Sequence, residues 1–349
     1  MPPAKPRREL KKTAERSTVS RQQGRTAHRK TKYRSFRGTK REAQIELARL
    51  VAGTADGTAF DPSKTTLAQF LDRWESWAAT QVSRKTFERY NELVRHHVRP
   101  HLGAARIQKL RPINCAELYG TLQKDKPVGA GLAPRTVGPI HRLMHRVIHH
   151  AVKWEVIAGN PVSAADPPRV ELTETQILDG DQIKTVLEAL CGHVLYPIVV
   201  IGLATGARRG ELVALRWGDT DLDAGKVTIE RSYEQTNQGL SIKAPKTKAG
   251  RRVVTVPPSI TAEQKKHWRQ QQEQRLALGL GKTGPEDPVF ARPGGVPWPP
   301  DALTGDWART VRVKKLPKVT FHALRHTHAR LAADRRRARR RHGEPADRS

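Results

Sequence analysis

Thr205-Gly206-Ala207-Arg208-Arg209-Gly210-Glu211 follows a nearly continuous apolar run, Val194 to Ala204, which reads as a buried helix or strand. The segment then opens a helix that Thr205 can cap, and an exposed helix N-terminus favours an anion. Glu211 falls three residues after Arg208 on the same helical face, where its carboxylate can orient the guanidinium. A guanidinium fork donates two parallel hydrogen bonds to the non-bridging oxygens of a phosphodiester. Taken alone, an Arg-x-x-Glu pair is more often a surface salt bridge.

Two further elements follow along the chain. Pro245-Lys246-Thr247-Lys248 lies on the connection between two expected strands, and a lysine on a hairpin turn can reach a leaving oxygen as a proton donor. In Phe321-His322-Ala323-Leu324-Arg325-His326-Thr327, His322 and Arg325 stand one helical turn apart and can face the same anion. Each is ordinary by itself: loop lysines are common, and a basic helix is usually a solvated one.

The charge balance gives these cations a context. The chain has 349 residues, enough for two or three domains, with 64 Lys and Arg against 34 Asp and Glu and a net charge of +30. Such a surplus implies a polyanionic partner, most simply nucleic acid. No apolar run approaches the ~20 residues of a membrane span. Met1 to Lys12 is basic and lacks the apolar stretch of a secretory signal. Two cysteines, Cys115 and Cys191, make neither a disulfide framework nor a thiolate zinc site. A membrane protein and a disulfide-stapled module are excluded, and a cytoplasmic DNA- or RNA-binding chain is expected.

Upstream, residues 1–50 carry sixteen Lys and Arg against four acids, with little apolar periodicity before Lys32, so they read as a flexible basic arm. Within it, Tyr33-Arg34-Ser35-Phe36 reads as a short strand and Lys40 to Val51 as a helix. Four helices follow. Leu67, Phe70, Leu71, Trp74 and Trp77 mark the first, and Phe87, Tyr90, Val94 and Val98 the second, started by Ser83 and stopped at Pro100. Pro112 to Leu122 is the third and Pro134 to Trp154 the fourth. Gly159-Asn160-Pro161 and Asp166-Pro167-Pro168 read as a linker. Beyond Thr173 the pattern becomes mixed α+β: a helix through Ile183, Val186, Leu187 and Leu190, then strands at Lys226 to Tyr233, Leu240 to Lys243 and Val253 to Val256. Gly279 to Pro300 reads as a Gly/Pro loop, and a last helix runs from about Thr320 through Leu331.

Together and in this order, the three cationic elements resemble the tyrosine recombinase (phage integrase) family. The first arginine motif of the family, T-G-x-R-x-x-E, is met by Thr205 to Glu211, its hairpin lysine by Lys246, and its H-x-x-R box by His322 and Arg325. Phe36-Arg37-Gly38-Thr39-Lys40-Arg41-Glu42-Ala43 is similar to the segment that follows the arm-binding strands of actinobacterial-type integrases. The resemblance covers roughly residues 33–333.

The resemblance implies a mainly α fold with a small β-hairpin or sheet. Its expected parts are a basic arm at 1–64 (a remnant of an arm-type DNA-binding domain), a helical SAM-like core-binding domain at 65–165, a linker at 166–180, an α+β integrase catalytic domain at 181–334 and a disordered basic tail at 335–349. It implies a metal-free, cofactor-free transesterification in which a tyrosine hydroxyl attacks the scissile phosphate, leaving a 3′-phosphotyrosyl link and a free 5′ hydroxyl. Arg208 and Arg325 would neutralise the pentacoordinate phosphate, Glu211 would support them, Lys246 would protonate the departing oxygen, and His322 would assist proton transfer or phosphate contact. The implied partners are double-stranded DNA at attachment sites, further copies of the chain on DNA, and directionality or host architectural factors. The implied location is the cytoplasm, at the nucleoid.

One feature departs from the family. Its nucleophilic tyrosine follows the H-x-x-R box, whereas Tyr33, Tyr90, Tyr119, Tyr196 and Tyr233 all precede His322. The change at about Ala333 to an Arg-rich stretch reads as a frameshift or premature end, with the expectation that the chain alone does not cleave DNA. Three readings stay open: a recombinase completed by a tyrosine from a partner chain, a non-enzymatic DNA-binding regulator of attachment sites, and a decayed integrase.

Other motifs carry less. Gly281-Lys282-Thr283 lacks the glycine a phosphate loop needs five residues earlier, where Leu276 stands. His141, His145 and His149 recur at four-residue steps without an accompanying carboxylate or cysteine, beside Arg142 and Arg146, and read as part of a DNA-facing basic helix. Trp74, Trp77, Trp154 and Trp217 sit at core spacing, so packing is their default.

Overall fold

A computed structural model describes residues 65–171, 176–243, 250–292 and 294–341, together with Gln44, and side chains as far as Arg337. The expected strand at Tyr33 to Phe36, the bulk of the helix at Lys40 to Val51 and residues 342–349 lie outside the described residues. Among the described residues the chain forms two compact units. The first takes in the chain to Thr80 and Asn91–Arg169; the second takes in Gln81–Tyr90 and everything from Val170.

The first unit is helical because its apolar residues recur every three or four positions. Helix α1 (Leu67–Gln81) buries Leu67, Phe70, Leu71, Trp74 and Ala78 along one stripe. Helix α2 (Arg84–Leu93), which belongs to the second unit as far as Tyr90 and to the first from Asn91, runs on through a wider turn at Val94–Val98 into Arg99–Leu102. Pro100 therefore does not stop the chain's helical course where the sequence suggested: it occupies the first turn of a new short segment, where a missing N–H costs nothing. Helix α3 (Pro112–Gln123) buries Cys115, Leu118, Tyr119 and Leu122. Helix α4 (Pro134–Lys153) lays Val137, Ile140, Leu143, Met144, Val147, Ile148 and Ala151 into the same core. The Asn160 side chain accepts from Val162 N at 3.0 Å and donates to the His145 carbonyl at 3.1 Å. The first of the expected linker breaks is thus tied down to α4.

In the second unit α5 (Gly180–Ala189) starts at Asp179, whose carboxylate accepts from Gln182 N at 2.8 Å. The apolar run resolves as a helix, α6 (Tyr196–Thr205), which buries Val200 and places Ile198, Val199 and Ile201 in the core. A short α7 (Arg209–Val213) follows. Strands β1 (Thr220–Asp221), β2 (Lys226–Ile229) and β5 (Arg252–Thr255) form one antiparallel sheet in the order β1-β2-β5, with Val227 opposite Val254. Strands β3 (Ser232–Thr236) and β4 (Gly239–Lys243) form a separate hairpin.

The expected single strand from Lys226 to Tyr233 is thus two strands in two sheets. Val227 and Ile229 alternate inward, but Arg231 then turns to the Asp219 carboxylate, at 2.9 and 3.0 Å, and the alternation breaks there. Two helices lie outside the expected elements, α8 (Pro258–Ala277), which has no apolar stripe, and α9 (Pro300–Val313), in which Leu303, Trp307 and Val311 stand one turn apart and are buried. Helix α8 buries the amides Gln264 and Gln271, and Gln271 accepts from Trp217 Nε1 at 2.5 Å and donates to the Pro288 carbonyl at 3.2 Å. The expected Gly/Pro loop from Gly279 keeps that character among the described residues as far as the start of α9 at Pro300.

The last helix, α10 (Ala323–Arg341), runs ten residues beyond Leu331. Residues 335–341, expected as disordered tail, are helical, in keeping with the high intrinsic helix propensity of Arg and Ala. Helix α10 packs on α6: His328 Nδ1 lies 2.9 Å from the Leu203 carbonyl, and the buried Thr327 hydroxyl accepts from Leu178 N at 3.0 Å. This pairing brings the two arginine-bearing segments, 119 residues apart in sequence, into contact.

Candidate active site

Helix α6 ends at Gly206 in the left-handed conformation, φ +60°, with its N–H donating to the Gly202 carbonyl. A Cβ there would also come within 2.5 Å of the His328 ring, so both backbone and packing demand glycine. Thr205 does not cap the next helix as the sequence suggested. Its hydroxyl donates back to the Ile201 carbonyl at 2.7 Å and accepts from Ala207 N at 3.2 Å, bracing the turn. The cap of α7 is Arg208 itself, with Glu211 closing the box.

The Glu211 carboxylate is buried and fully engaged. Oε2 accepts the Arg208 backbone N–H at 2.8 Å and Arg252 Nη2 at 2.7 Å, while Oε1 accepts Arg208 Nη1 at 2.9 Å. The side chain of Glu211 is 4% exposed and that of Arg208 is 58% exposed, so the guanidinium faces outward from a buried anchor. Burial alone would raise the Glu211 carboxyl, but the hydrogen bonds from Arg252 and from the Arg208 backbone and side chain hold it below the usual carboxylate range. Helix α7 sits close on β3: a Cβ on Gly210 would fall 2.5 Å from Ser232 Oγ and from the Tyr233 carbonyl. Arg209 turns the other way, to Asp301 at 3.0 Å and to the Thr304 hydroxyl on α9.

Arg325 arrives from the first turn of α10 and donates to the Gly206 carbonyl, in the turn that launches Arg208. His322 is exposed and occupies the turn just before α10, whose start is supported by Thr320 Oγ1 accepting from Ala323 N at 3.2 Å. His322 meets His326 edge to face, ring centroids 4.8 Å apart. Burial lowers the pKa of His322, and the charges of His326, Arg325, Arg208 and Arg209 lower it further. Arg325 is lowered by burial and by Arg208 and Arg252, with Glu211 opposing. This mutual repulsion has one cause: Arg208, Arg325, Arg252 and His322 share a single locus. Such a locus is relieved by an anion.

The structure therefore brings Arg208, Glu211, His322 and Arg325 together. Lys246 lies outside the described residues. The strands that flank it are not partners of each other, since β4 pairs with β3 and β5 with β2. Arg252 went unremarked in the sequence, where an arginine before a β-branched run looks like any exposed strand start. The four-residue histidine row finds local roles: His141 Nδ1 lies 3.0 Å from the Tyr119 hydroxyl and His145 Nε2 3.1 Å from Ser163 Oγ.

Two family models match the chain, the phage integrase family over residues 176–333 and the phage integrase N-terminal SAM-like domain over residues 66–123. A tyrosine recombinase XerC-like protein of Caldanaerobacter subterraneus subsp. tengcongensis is 26% identical over 327 residues, covering 88% of this chain and 82% of that protein. An integrase of Streptomyces ambofaciens is also 26% identical, across 69% of this chain and 62% of its own length. Among solved structures, the Tn1549 transposon integrase in complex with a circular intermediate DNA superposes with a TM-score of 0.65 at 21% identity, covering 77% of this chain and 87% of that one. A lambda integrase dimer bound to a core site gives 0.57 at 19% identity, over 81% and 96%. These last likenesses are of fold.

Proposed function

Because the chain belongs to the tyrosine recombinase (phage integrase) family, we propose that it binds duplex DNA at attachment sites and that Arg208 and Arg325 grip one backbone phosphate there. The observation that carries this reading is the contact between the two arginine segments. Arg325 donates to the Gly206 carbonyl while Arg208, two residues on, is aimed outward by the buried Glu211. Two guanidinium groups held in this way neutralise charge developing on a pentacoordinate phosphate and need no reorganisation as it forms. His322, whose pKa is lowered by burial and by its cationic neighbours, can accept or relay a proton at that phosphate. Lys246 is assigned the leaving 5′ oxygen by its position in the sequence motif. The net charge of +30 supplies long-range attraction to DNA.

The nucleophile is a separate matter. Every tyrosine of the 349 residues precedes His322, and Tyr119 is buried with its hydroxyl pushed well above the usual range by burial. We assign to these residues the binding and activation of the diester and not the covalent step. Two readings remain, a recombinase whose tyrosine lies outside these 349 residues and a non-cleaving occupant of recombination sites, in either case acting at the nucleoid with further copies of itself on the DNA. A nicked suicide duplex carrying an attachment site separates these. A protein–DNA adduct formed by this chain alone would overturn the assignment. Cleavage restored by an added tyrosine-bearing fragment supports the recombinase, and tight binding with no cleavage supports the occupant.

A further inference from the structure

Arg252 lies outside the constellation expected from the sequence, yet it shares that constellation's carboxylate. It occupies the first position of β5, opposite Ile229 on β2, so its backbone is fixed by the sheet. Its Nη1 donates to the Gly250 carbonyl at 3.3 Å and its Nη2 to Glu211 Oε2 at 2.7 Å. The two oxygens of Glu211 thereby carry separate duties. Oε2 is divided between Arg252 and the Arg208 backbone N–H, which leaves Oε1 to the Arg208 guanidinium. A carboxylate held by one partner can rotate about its last torsion, which is broad and roughly two-fold. Held from two sides it cannot, and the direction of the Arg208 fork follows from it.

We propose that Arg252 is a positioning residue that clamps Glu211 from β5 and so sets the direction in which Arg208 presents its guanidinium to the diester. The inference rests on the diester site proposed above. It is distinct from a general contribution of positive charge, because it acts through Glu211 and vanishes when Glu211 cannot play its part.

The test is a sulfate titration of the nitrogen-labelled full chain, followed through the Arg208 and Arg325 Nε–H signals in a two-dimensional spectrum. Both signals of the unaltered chain move together with one dissociation constant. In R252M the Arg208 signal reports sulfate affinity lower by roughly tenfold or more, the scale of a displaced hydrogen bond to a charged group. R252K, which keeps a cation within reach of Glu211, recovers most of it. In an E211Q background R252M adds little, as a pair acting as one unit requires. R252Q keeps a donor for the Gly250 carbonyl and repeats the comparison if R252M does not melt cooperatively. Undiminished affinity in folded R252M or R252Q, or the same fold-loss with and without Glu211, overturns the proposal. An unaltered chain whose Arg208 and Arg325 signals ignore sulfate overturns instead the diester site, so the two failures are told apart.

Discussion

Arg208 donates to Glu211 twice, once from its backbone N–H and once from its guanidinium, and so serves at the same time as the cap of α7 and as its outward-facing cation. Local folding and anion recognition are therefore the same contact. Replacing Glu211 with alanine should cost about 1.5–3 kcal/mol, the scale of hydrogen bonds to charged groups, and should weaken DNA binding although a negative charge has been removed. Urea unfolding and DNA titration on the same preparation check both. A stronger complex in E211A would mean that the carboxylate merely opposes the phosphate.

The pH dependence of that contact has a definite sign. The Glu211 carboxyl is held below its ordinary value in the folded chain, so its contribution to stability is present above the unfolded value and is lost as pH falls through the folded one. Acidification from about pH 5 downward should destabilise the unaltered protein more than E211Q. Parallel stability curves for the two proteins across that window would mean that Glu211 does not set the acid sensitivity.

Gly206 joins the two arginine segments and should not tolerate a side chain. Alanine at φ +60° costs on the order of 1–3 kcal/mol, and its methyl would press on the His328 ring. G206A should melt several degrees lower and bind sulfate more weakly at Arg325, whose hydrogen bond to the Gly206 carbonyl moves with the turn. Thermal melts with and without sulfate measure both effects.

In the first unit Trp74 Nε1 donates to His150 Nδ1 at 3.0 Å, which requires a neutral imidazole protonated on Nε2. Burial lowers the pKa of His150, and Arg146, Lys153 and His149 lower it further. A base whose folded value is depressed loses stability as pH falls below its unfolded value, about 6.5. Indole fluorescence during urea unfolding should therefore report a weaker first unit at pH 5.5 than at pH 8, and H150Q should flatten the difference.

The salt dependence of DNA binding separates the site from the general charge. Each arginine that meets a phosphate adds about one to the slope of log affinity against log salt. R208A and R325A should each lower it by about one, whereas R269A, on the polar helix α8, should leave it unchanged. Equal effects at all three positions would make the site no more than part of a diffuse basic surface.

Legibility in the sequence followed what each segment buries. Helices α1, α3, α4 and α6 bury apolar stripes or runs, and their periodicity is visible, while α2 itself buries only Leu93 and is marked by the half-buried Phe87 and Tyr90. Helix α8 buries Gln264 and Gln271, with His267 set against the Val289 carbonyl at 2.8 Å, so no apolar period marks it. The break at Glu230-Arg231 depends on Asp219, which no local pattern displays. At the site, Arg208, Glu211, His322 and Arg325 stand in recognisable spacings. Arg252 reaches Glu211 across 41 residues, and its part emerges only when β5 is placed beside α7.

If Arg208 and Arg325 hold one tetrahedral anion between them, crystals soaked in tungstate will show it through the metal's anomalous scattering. A single peak is expected, with its oxygens within hydrogen-bond reach of both guanidinium groups. Tungstate bound at one arginine and not the other, or two separate peaks, would contradict it.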